Sequence, residues 1–382
     1  MHEPVQQDLF VSGEGGYVRY RIPALLTTTA GTILAFAEAR KHTGSDSDQI
    51  DMFLRRSTDG GTSFGEVQVV ATTPDWVCGN PAPVQDRESG RIWLLFCKNR
   101  RDGDEQMICE GKAPREVWKC YSDDDGQSWS DPKEITASVK PAEWSWYATG
   151  PCHGIQLASG RLVVPCDHIV LKDYKRHDPY YSHVIYSDDA GETWQIGGST
   201  SEGTNESCIE ELADSLLYFN CRNKYRLDDG GNYRGIAFST DGGETFTPIV
   251  HDVALPEPVC QASVLAYRLP GETVGNADSP RGAPASAAAP GAPDSGTRLL
   301  FSNAAARSGL SHGRHSMTVK LSYDGGITWP VSRLLHDGPA AYSDLCVAPD
   351  GSILCFYERG DEGPYDRMTV ARFDLEWLEG GK

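Results

Sequence analysis

Three arginine residues stand out because each lies beside a run of residues with strand character. Arg21 opens the run RIPALL, Arg222 ends the run LLYFNCR, and Arg314 precedes the run MTVKL. A guanidinium group stays charged and binds a carboxylate through two parallel hydrogen bonds. Taken singly, each is better explained as a surface arginine. If the fold brings the three together, the chemistry they offer is a clamp for a ligand that carries a carboxylate.

The elements that position these arginines are indicated by a repeated eight-residue phrase of the form Ser-x-Asp-x-Gly-x-Thr/Ser-aromatic. Its five copies are Ser57–Phe64, Ser122–Trp129, Ser187–Trp194, Ser239–Phe246 and Ser322–Trp329. In such a phrase the aspartate accepts local backbone N–H bonds, and the glycine allows a positive φ. Because strand-like runs flank each copy, we predict five β-hairpin turns, each anchored to a core by its aromatic residue and structural in role.

The spacing of the repeat predicts the architecture. Successive copies start 65, 65, 52 and 83 residues apart, and four short strands per unit of this length are typical of a β-propeller blade. For 382 residues we predict an all-β, six-bladed β-propeller. The last blade would combine both termini, with the run MTVARFDL pairing near the N-terminal strand so that no sheet edge stays free.

The long spacing of 83 residues contains a segment with almost no bulky apolar side chain. This segment, 270–296, is rich in Pro, Ala, Gly and Ser, a composition typical of a flexible surface insertion. It is therefore interpreted as a loop within one domain, and residues 1–382 are predicted to form a single propeller domain.

Composition and charge exclude some classes of partner. With Lys+Arg 35 against Asp+Glu 54 the net charge is −19, and such a field repels nucleic acid and anionic membranes. No apolar run is long enough to span a membrane. The eleven cysteines form no CxxC pair, which favours buried reduced thiols. Since the N-terminal segment also lacks signal-peptide character, we expect a cytoplasmic protein, with export after loss of a signal peptide as the alternative.

The chain resembles the exo-sialidases, or neuraminidases, from Arg21 to about Arg372. The resemblance depends on the five repeats, which match the Asp boxes of that family, and on the motifs YRIPALL, AFAEARK, TNESCIEELADSLLYFNCRN, GRHSMTVKLSYDGG, AYSDL and CFYERG. It implies a six-bladed propeller that cleaves terminal α-linked sialic acid with retention of configuration, using a tyrosine nucleophile. Sialylated glycans are the implied partners, and neither a metal nor another cofactor is implied.

The resemblance also implies roles for individual positions. Arg21, Arg222 and Arg314 match the triad that grips the sugar carboxylate. Tyr342 matches the nucleophile, and Glu206 matches the carboxylate that accepts its proton. A neutral tyrosine hydroxyl suits this substrate because an anionic nucleophile would approach the sugar carboxylate against like charge. The three arginines would also stabilise the charge that develops in the transition state.

Three further positions match supporting roles. Asp46 stands where the family keeps the aspartate that protonates the leaving oxygen, so an acidic optimum of about pH 4.5 to 6.5 is expected. Glu358 matches the glutamate that orients the first arginine. Arg40, together with Glu38, matches a residue at the rim of the clamp.

Some assignments leave alternatives open. Asp48 competes with Asp46, and Glu210 and Glu211 compete with Glu206. Two aromatic sets line either the ligand pocket or the core, namely Trp144, Trp146 and Tyr147, and Tyr180 and Tyr181. His312 and His315 flank Arg314, but nothing nearby completes a metal site, and they are interpreted as loop residues.

Related functions would use the same residues. A trans-sialidase, or a hydrolase of deaminated sialic acid (KDN), would differ only in the pocket for the N-acetyl group and in the platform for the leaving group. A propeller that binds glycans without cleaving them is a further alternative. It is disfavoured because a lectin has no use for the pair Tyr342 and Glu206.

Overall fold

The computed structural model describes residues 3–171, 180–224, 232–268, 297–305 and 313–380. Antiparallel strands dominate these ranges. The insertion predicted at 270–296 and His312 lie outside the described residues.

The first half of the chain forms two sheets. After β1 (Val5–Val11), one sheet contains β2 (Arg19–Thr27), β3 (Ile33–Arg40), β4 (Ile50–Ser57), β5 (Gln68–Ala71), β6 (Trp76–Gln85), β7 (Ile92–Arg100), β8 (Glu116–Ser122) and β9 (Lys133–Glu134). The next contains β10 (Trp144–Thr149), β11 (Ile155–Gln156), β12 (Leu162–Val170), β13 (Tyr180–Ser187) and β14 (Gln195–Ser199). Within the first sheet only the pair Ile50 and Val77 joins β4 to β6, so this sheet consists of two meanders.

The second half repeats the pattern. One sheet contains β15 (Thr204–Ala213), β16 (Leu216–Asn223), β17 (Tyr233–Ser239) and β18 (Val250–Pro256). The last contains β19 (Ser263–Ala266), β20 (Leu299–Ala304), β21 (His315–Ser322), β22 (Val331–Val347), β23 (Ile353–Arg359) and β24 (Arg367–Phe373), with β1 at its end. The long strand β22 pairs with β21 through its first half and with β23 through its second.

The two ends of the chain meet in one sheet. Strand β1 pairs antiparallel with β24, from Val5 opposite Arg372 to Val11 opposite Arg367. The prediction that the final run pairs with the N-terminal strand is therefore confirmed, and the all-β meanders agree with a propeller. The predicted number of six blades stays a prediction.

The five Asp boxes are the turns between the third and fourth strands of successive meanders. In the first, Ser57 Oγ donates to Asp59 Oδ1 at 2.7 Å and accepts from the Gly61 amide at 2.9 Å. The Ser63 amide and hydroxyl donate to the same aspartate at 2.9 and 2.6 Å. The other four copies repeat this hydrogen-bond set. The phrase is thus a self-contained turn.

The aromatic residue that ends each turn packs against a different apolar cluster. These residues are Phe64, Trp129, Trp194, Phe246 and Trp329. The clusters lie between neighbouring meanders; one, for example, joins Leu34 and Phe36 of β3 to Leu94 and Phe96 of β7. All eleven cysteines are free and buried, as predicted. The turns therefore fasten each meander to the core beside it.

Within the described residues, three short helices accompany the strands, although no helical period is visible in the sequence. They are α1 (Glu105–Cys109), α2 (Thr136–Val139) and α3 (Leu375–Glu379). Helix α1 begins because the Asp104 side chain accepts a hydrogen bond from the Met107 amide at 2.8 Å, an N-cap contact. Over the described part of the chain, no helix has the length and apolar character needed to cross a membrane.

Substituting Gly191 with alanine should destabilise the fold strongly. Gly191 has a φ of +92°, and a Cβ atom there would lie 2.1 Å from Nε1 of the buried Trp93. Left-handed backbone strain of about 1–2 kcal/mol and overpacking of about 1–3 kcal/mol then add. Gly60→Ala is the matched control, because Gly60 has a φ of +71° and a Cβ atom there would have no neighbouring atom within 4 Å. Comparable losses in unfolding free energy, measured in urea, would contradict this packing role.

Candidate active site

A cavity brings together residues from distant parts of the sequence. Its lining includes the residues assigned to the clamp and to catalysis, and the supporting Arg40: Arg21, Arg40, Asp46, Glu206, Arg222, Arg314 and Tyr342. Glu358 lies behind the cavity wall and binds Arg21. The set comes from β2, β3, β15, β16, β22 and β23 and from two loops, so only the closed arrangement of sheets assembles it.

Glu358 is wholly buried and holds two elements of the site. Its Oε1 accepts from Arg21 Nε at 3.1 Å and from the Ile22 amide at 2.8 Å. Its Oε2 accepts from Arg21 Nη2 at 3.3 Å and from the Tyr342 amide at 3.1 Å. One carboxylate therefore orients the first arginine of the clamp and fixes the backbone of the tyrosine.

The backbone next to Arg21 adopts an uncommon conformation. Ile22 has a φ of +62°, which is rare for a β-branched residue and is found mainly where the surroundings enforce it. The register of β2 against β3 also shifts between Arg21 and Ala24. The hydrogen bond from the Ile22 amide to Glu358 stabilises this local turn, which sets the start of the RIPALL segment at the cavity.

Tyr342, Glu206 and Arg222 form a compact hydrogen-bonded group. The Tyr342 hydroxyl donates to Glu206 Oε1 at 2.5 Å. Arg222 Nη1 donates to Glu206 Oε2 and, at 3.1 Å, to the Tyr342 hydroxyl. The guanidinium group of Arg21 also lies 4.9 Å from the centre of the Tyr342 ring. The tyrosine oxygen thus sits between a carboxylate and a cation.

The surroundings fix the charge states of this group. Burial, followed by the negative charge of Glu206, raises the pKa of Tyr342 well above its usual value. Burial also acts to raise the pKa of Glu206, but Arg222 and the hydrogen bond from Tyr342 outweigh it, so the pKa of Glu206 is lowered. In the free protein the proton therefore resides on the tyrosine and the glutamate is ionised. That is the starting state for a tyrosine that loses its proton only when it reacts.

Arg314 differs from the other two arginines of the clamp. Its Nη1 donates to the Tyr365 hydroxyl at 2.8 Å and its Nη2 to the Val259 carbonyl at 2.8 Å. Within the described ranges no carboxylate lies in ion-pair distance of it, whereas Arg21 pairs with Glu358 and Arg222 with Glu206. Its charge therefore faces the cavity uncompensated.

Asp46 lies at the rim and is held by two cations. Its Oδ1 is 2.6 Å from Arg40 Nη1 and 3.6 Å from Arg21 Nη1, although its side chain is 73% exposed. Desolvation at the mouth of the cavity acts to raise the pKa of Asp46, but Arg40 and Arg21 outweigh it and the pKa is lowered. Arg40 is itself oriented by Glu38 at 2.7 Å. Arg40 and Glu38 thus set the ionisation of the rim aspartate.

The alternative carboxylates face elsewhere. Asp48 is buried and accepts hydrogen bonds from the amides of His42, Thr43, Gly44 and Gln49, so it shapes the loop that carries Asp46. Glu210 lies 3.5 Å from His153, and Glu211 accepts from the amides of Ala158 and Ser215. None of the three lines this cavity.

The aromatic sets divide between cavity and core. Trp146 and Tyr180 line the cavity, whereas Tyr147 is buried in an apolar cluster and Trp144 stacks on His168. Tyr181 also stacks on His168. Strict alternation along β10 would place Trp144 and Trp146 on the same face of the strand. The register shift between Trp144 and Tyr147 separates them. Both interpretations offered by the sequence are therefore partly correct.

Several cavity residues are not evident from sequence reasoning. They are Asn80, Glu105, Arg115, Asp167, Asn205 and Lys224. The N-cap aspartate before Glu105 is one signal in the sequence, since Asp followed by Glu favours a helix start. Within the ranges that the structure describes, no three His, Cys, Asp or Glu side chains group as metal ligands.

Comparison with known proteins identifies the family of the chain. Residues 31–355 match the BNR repeat-like domain family. The chain is 34% identical to a sialidase of Micromonospora viridifaciens, over 98% of this chain and 54% of that protein, so it spans about half of that relative. It is 32% identical to Sialidase-3 of Mus musculus, over 96% of this chain and 93% of that protein.

A solved structure shows the same fold. The Hadza microbial sialidase Hz136 superposes with a TM-score of 0.80 at 26% identity, over 98% of this chain and 69% of that one. The all-β propeller fold, together with the match over residues 31–355, defines the class as a protein of the BNR repeat-like family. More particularly, the chain belongs to the sialidase family.

Replacing Arg314 with alanine should weaken binding of an uncleavable unsaturated sialic acid about 100-fold. Loss of one charged partner from a buried hydrogen-bonded pair costs about 2–5 kcal/mol. Tyr365→Phe is the control, because it removes only the hydroxyl that receives Arg314 Nη1 and should reduce affinity by no more than about tenfold. Calorimetric titration measures both. Unchanged affinity in the Arg314 variant would remove this residue from the clamp.

Proposed function

We propose that the protein is a retaining exo-α-sialidase that hydrolyses terminal sialic acid from glycans through a covalent intermediate on Tyr342. The observation that carries this proposal is the hydrogen bond of 2.5 Å from the Tyr342 hydroxyl to the ionised Glu206, set among three arginines. A site that only bound an anionic sugar would need the arginines but not this proton acceptor. The family resemblance supports the same chemistry.

Binding begins with the sugar carboxylate at Arg21, Arg222 and Arg314. Arg314 has no carboxylate partner among the described residues. Arg21 is paired with Glu358 behind the cavity wall, and Arg222 is paired with Glu206 beside the tyrosine. Guanidinium groups give the carboxylate both charge and bidentate geometry. The carboxyl-bearing carbon, C2, is thereby placed at the tyrosine oxygen.

In the first step the Tyr342 oxygen attacks C2 while its proton passes to Glu206. The bond from C2 to the glycosidic oxygen breaks, and Asp46 gives its proton to that oxygen. In the second step Asp46 takes a proton from water, the water oxygen attacks C2 and the bond to Tyr342 breaks. Glu206 then returns its proton to the tyrosine. Two displacements at one carbon leave the configuration unchanged.

The ion pairs of Asp46 fit this double role. In the free protein Arg40 and Arg21 keep Asp46 ionised. A bound sugar carboxylate would engage Arg21 and add a negative charge nearby, and both effects raise the pKa of a neighbouring aspartate. Substrate binding would thus bring Asp46 towards the protonated form that the first step requires.

The direct assay is release of a fluorogenic leaving group from an α-sialoside. The deaminated analogue, measured in parallel, reports preference for the substituent at C5, and lactose added as acceptor reports transfer. Proton NMR of the first-released sugar reports its configuration. Absence of turnover with an intact fold, or release of the inverted anomer, would contradict the proposed mechanism.

Tyr342→Phe should reduce turnover by at least three orders of magnitude, because the nucleophilic oxygen is lost while the ring is kept. Tyr357→Phe is the matched control: Tyr357 is also buried, but its hydroxyl donates to Gln6 at 2.9 Å, away from the cavity. That variant should keep turnover within a few-fold. Mass spectrometry after reaction with a 2,3-difluorinated sialic acid should find the label on Tyr342. A label elsewhere would identify a different nucleophile.

Asp46→Ala should impair cleavage of sialyllactose about 100-fold more than cleavage of an aryl sialoside. Protonation of the leaving oxygen contributes about 10²–10⁴-fold, and an aryl leaving group with a low pKa needs little of it. The comparison variant is Asp48→Asn, which changes the loop that carries Asp46 but keeps every side chain that lines the cavity. Equal losses on both substrates in the Asp46 variant would place the acid at another residue.

A further inference from the structure

Asp167 is a buried carboxyl group in the cavity wall that takes no part in the proposed displacement steps. It lies near the end of β12, lines the cavity and is 1% exposed. Its Oδ1 accepts a hydrogen bond from Trp146 Nε1 at 2.8 Å. Its Oδ2 is buried and has no hydrogen-bond partner among the described residues. An ionised carboxylate in such a place is strongly disfavoured.

The charges around Asp167 do not neutralise it. Among the described residues, the titratable and charged groups that interact with it are Cys109 of α1, Arg115 before β8, Tyr147 of β10, Cys166 of β12, Tyr180 of β13, Glu206 of β15 and Lys224 after β16, and Glu105 of α1 lines the same cavity. No cation within the described ranges lies in ion-pair distance of it. Burial, followed by the charge of Glu206, raises the pKa of Asp167 to about 8.

A second residue of the cavity lining also carries an unpaired oxygen. Asn205 also lines the cavity, and its Oδ1 is buried without a partner among the described residues. The two residues are linked through Ser182, which is opposite Asp167 in the sheet and donates its hydroxyl to the Asn205 carbonyl at 2.6 Å. A protonated Oδ2 at Asp167 is a donor, and Oδ1 of Asn205 is an acceptor. A hydroxyl group, which both accepts and donates, satisfies such a pair.

We propose that Asp167 works as a neutral carboxylic acid that, together with Asn205, binds a hydroxyl group of the bound sugar, and that its ionisation weakens binding. This inference rests on the proposed function, because it places a sialic acid in the cavity. It makes Asp167 a residue that determines substrate recognition and the upper pH limit of binding.

The charge of the cavity gives the second reason for a neutral Asp167. Among the described residues, six cationic and five carboxyl side chains line it. With all carboxyl groups ionised the lining carries a net charge of +1, and with Asp167 neutral it carries +2. The substrate is an anion, and the whole protein carries a net charge of −19. An ionised Asp167 beside Glu206 would therefore weaken both the attraction of the substrate and the hydrogen bond from Asp167 to the sugar hydroxyl.

The test is the dissociation constant of an uncleavable unsaturated sialic acid, measured by calorimetry from pH 6 to pH 9. For the wild type it should rise about tenfold by pH 9, because about one tenth of a group with a pKa near 8 is then neutral. Asp167→Asn keeps an acceptor for Trp146 and supplies a permanent N–H donor. It should bind within about threefold of the wild type at pH 6 and show no rise. Asp167→Ala should bind about tenfold more weakly throughout.

A second readout does not depend on the ligand. The folded pKa of Asp167 lies above that of an unfolded aspartate, so the wild type loses stability as the pH rises from about 4 to 8. The increase in melting temperature from wild type to Asp167→Asn should therefore be larger at pH 8 than at pH 5. A difference that is independent of pH would contradict a neutral Asp167.

The outcomes separate the two proposals. Sialoside turnover with pH-independent binding in the wild type, or a rise that persists in Asp167→Asn, overturns the role of Asp167 and leaves the sialidase function standing. Binding that weakens with pH in the wild type alone, without turnover on any sialoside, supports the role of Asp167 and overturns hydrolysis. Absence of binding at every pH overturns the role of Asp167.

Discussion

The site depends on one buried carboxylate. Glu358 has no exposed surface, and a charge in such a position is stable only when it is paired and fully hydrogen-bonded. Its partners are the Arg21 side chain and the amides of Ile22 and Tyr342. Because these partners belong to β2 and β22, the need to satisfy Glu358 draws the clamp and the tyrosine together. The uncommon backbone at Ile22 is maintained by the same contacts.

Around Glu358, arginine–carboxylate pairs extend from the interior of the protein to the rim of the cavity. Glu358 holds Arg21, Arg222 shares Glu206 with Tyr342, and Arg40 holds Asp46. Arg21, Arg222 and Arg40 thus each have their own anion, which reduces the mutual repulsion of these guanidinium groups. The uncompensated charge of Arg314 is then the part of the electrostatic field that an incoming carboxylate meets. A strongly acidic protein can in this way keep a cavity attractive to an anion.

Much of the fold and of the candidate site could be predicted from the sequence, and the parts that could not depend on properties of the folded protein. The Asp boxes were visible because each is stabilised within eight consecutive residues, and Arg21 and Tyr342 because their motifs are distinctive. The roles of Asp167 and Asn205 were not visible, because burial and the absence of a partner are properties of the assembled cavity. The sequence does not distinguish Asp46 from Asp48. The structure does, because backbone amides donate to the Asp48 side chain and turn it away from the cavity. The insertion at 270–296 and the number of blades stay predictions.

The pairing of β1 with β24 affects how the protein folds during its synthesis on the ribosome. Arg21 is separated from its counter-charge, Glu358, by 337 residues. At about 5–20 residues per second this interval lasts roughly 20–70 s. Throughout it the nascent chain carries an arginine without its partner and a first strand without its neighbour. The candidate site is therefore completed only when β23 has been made, and a nascent chain that stalls before β23 lacks the carboxylate that orients Arg21.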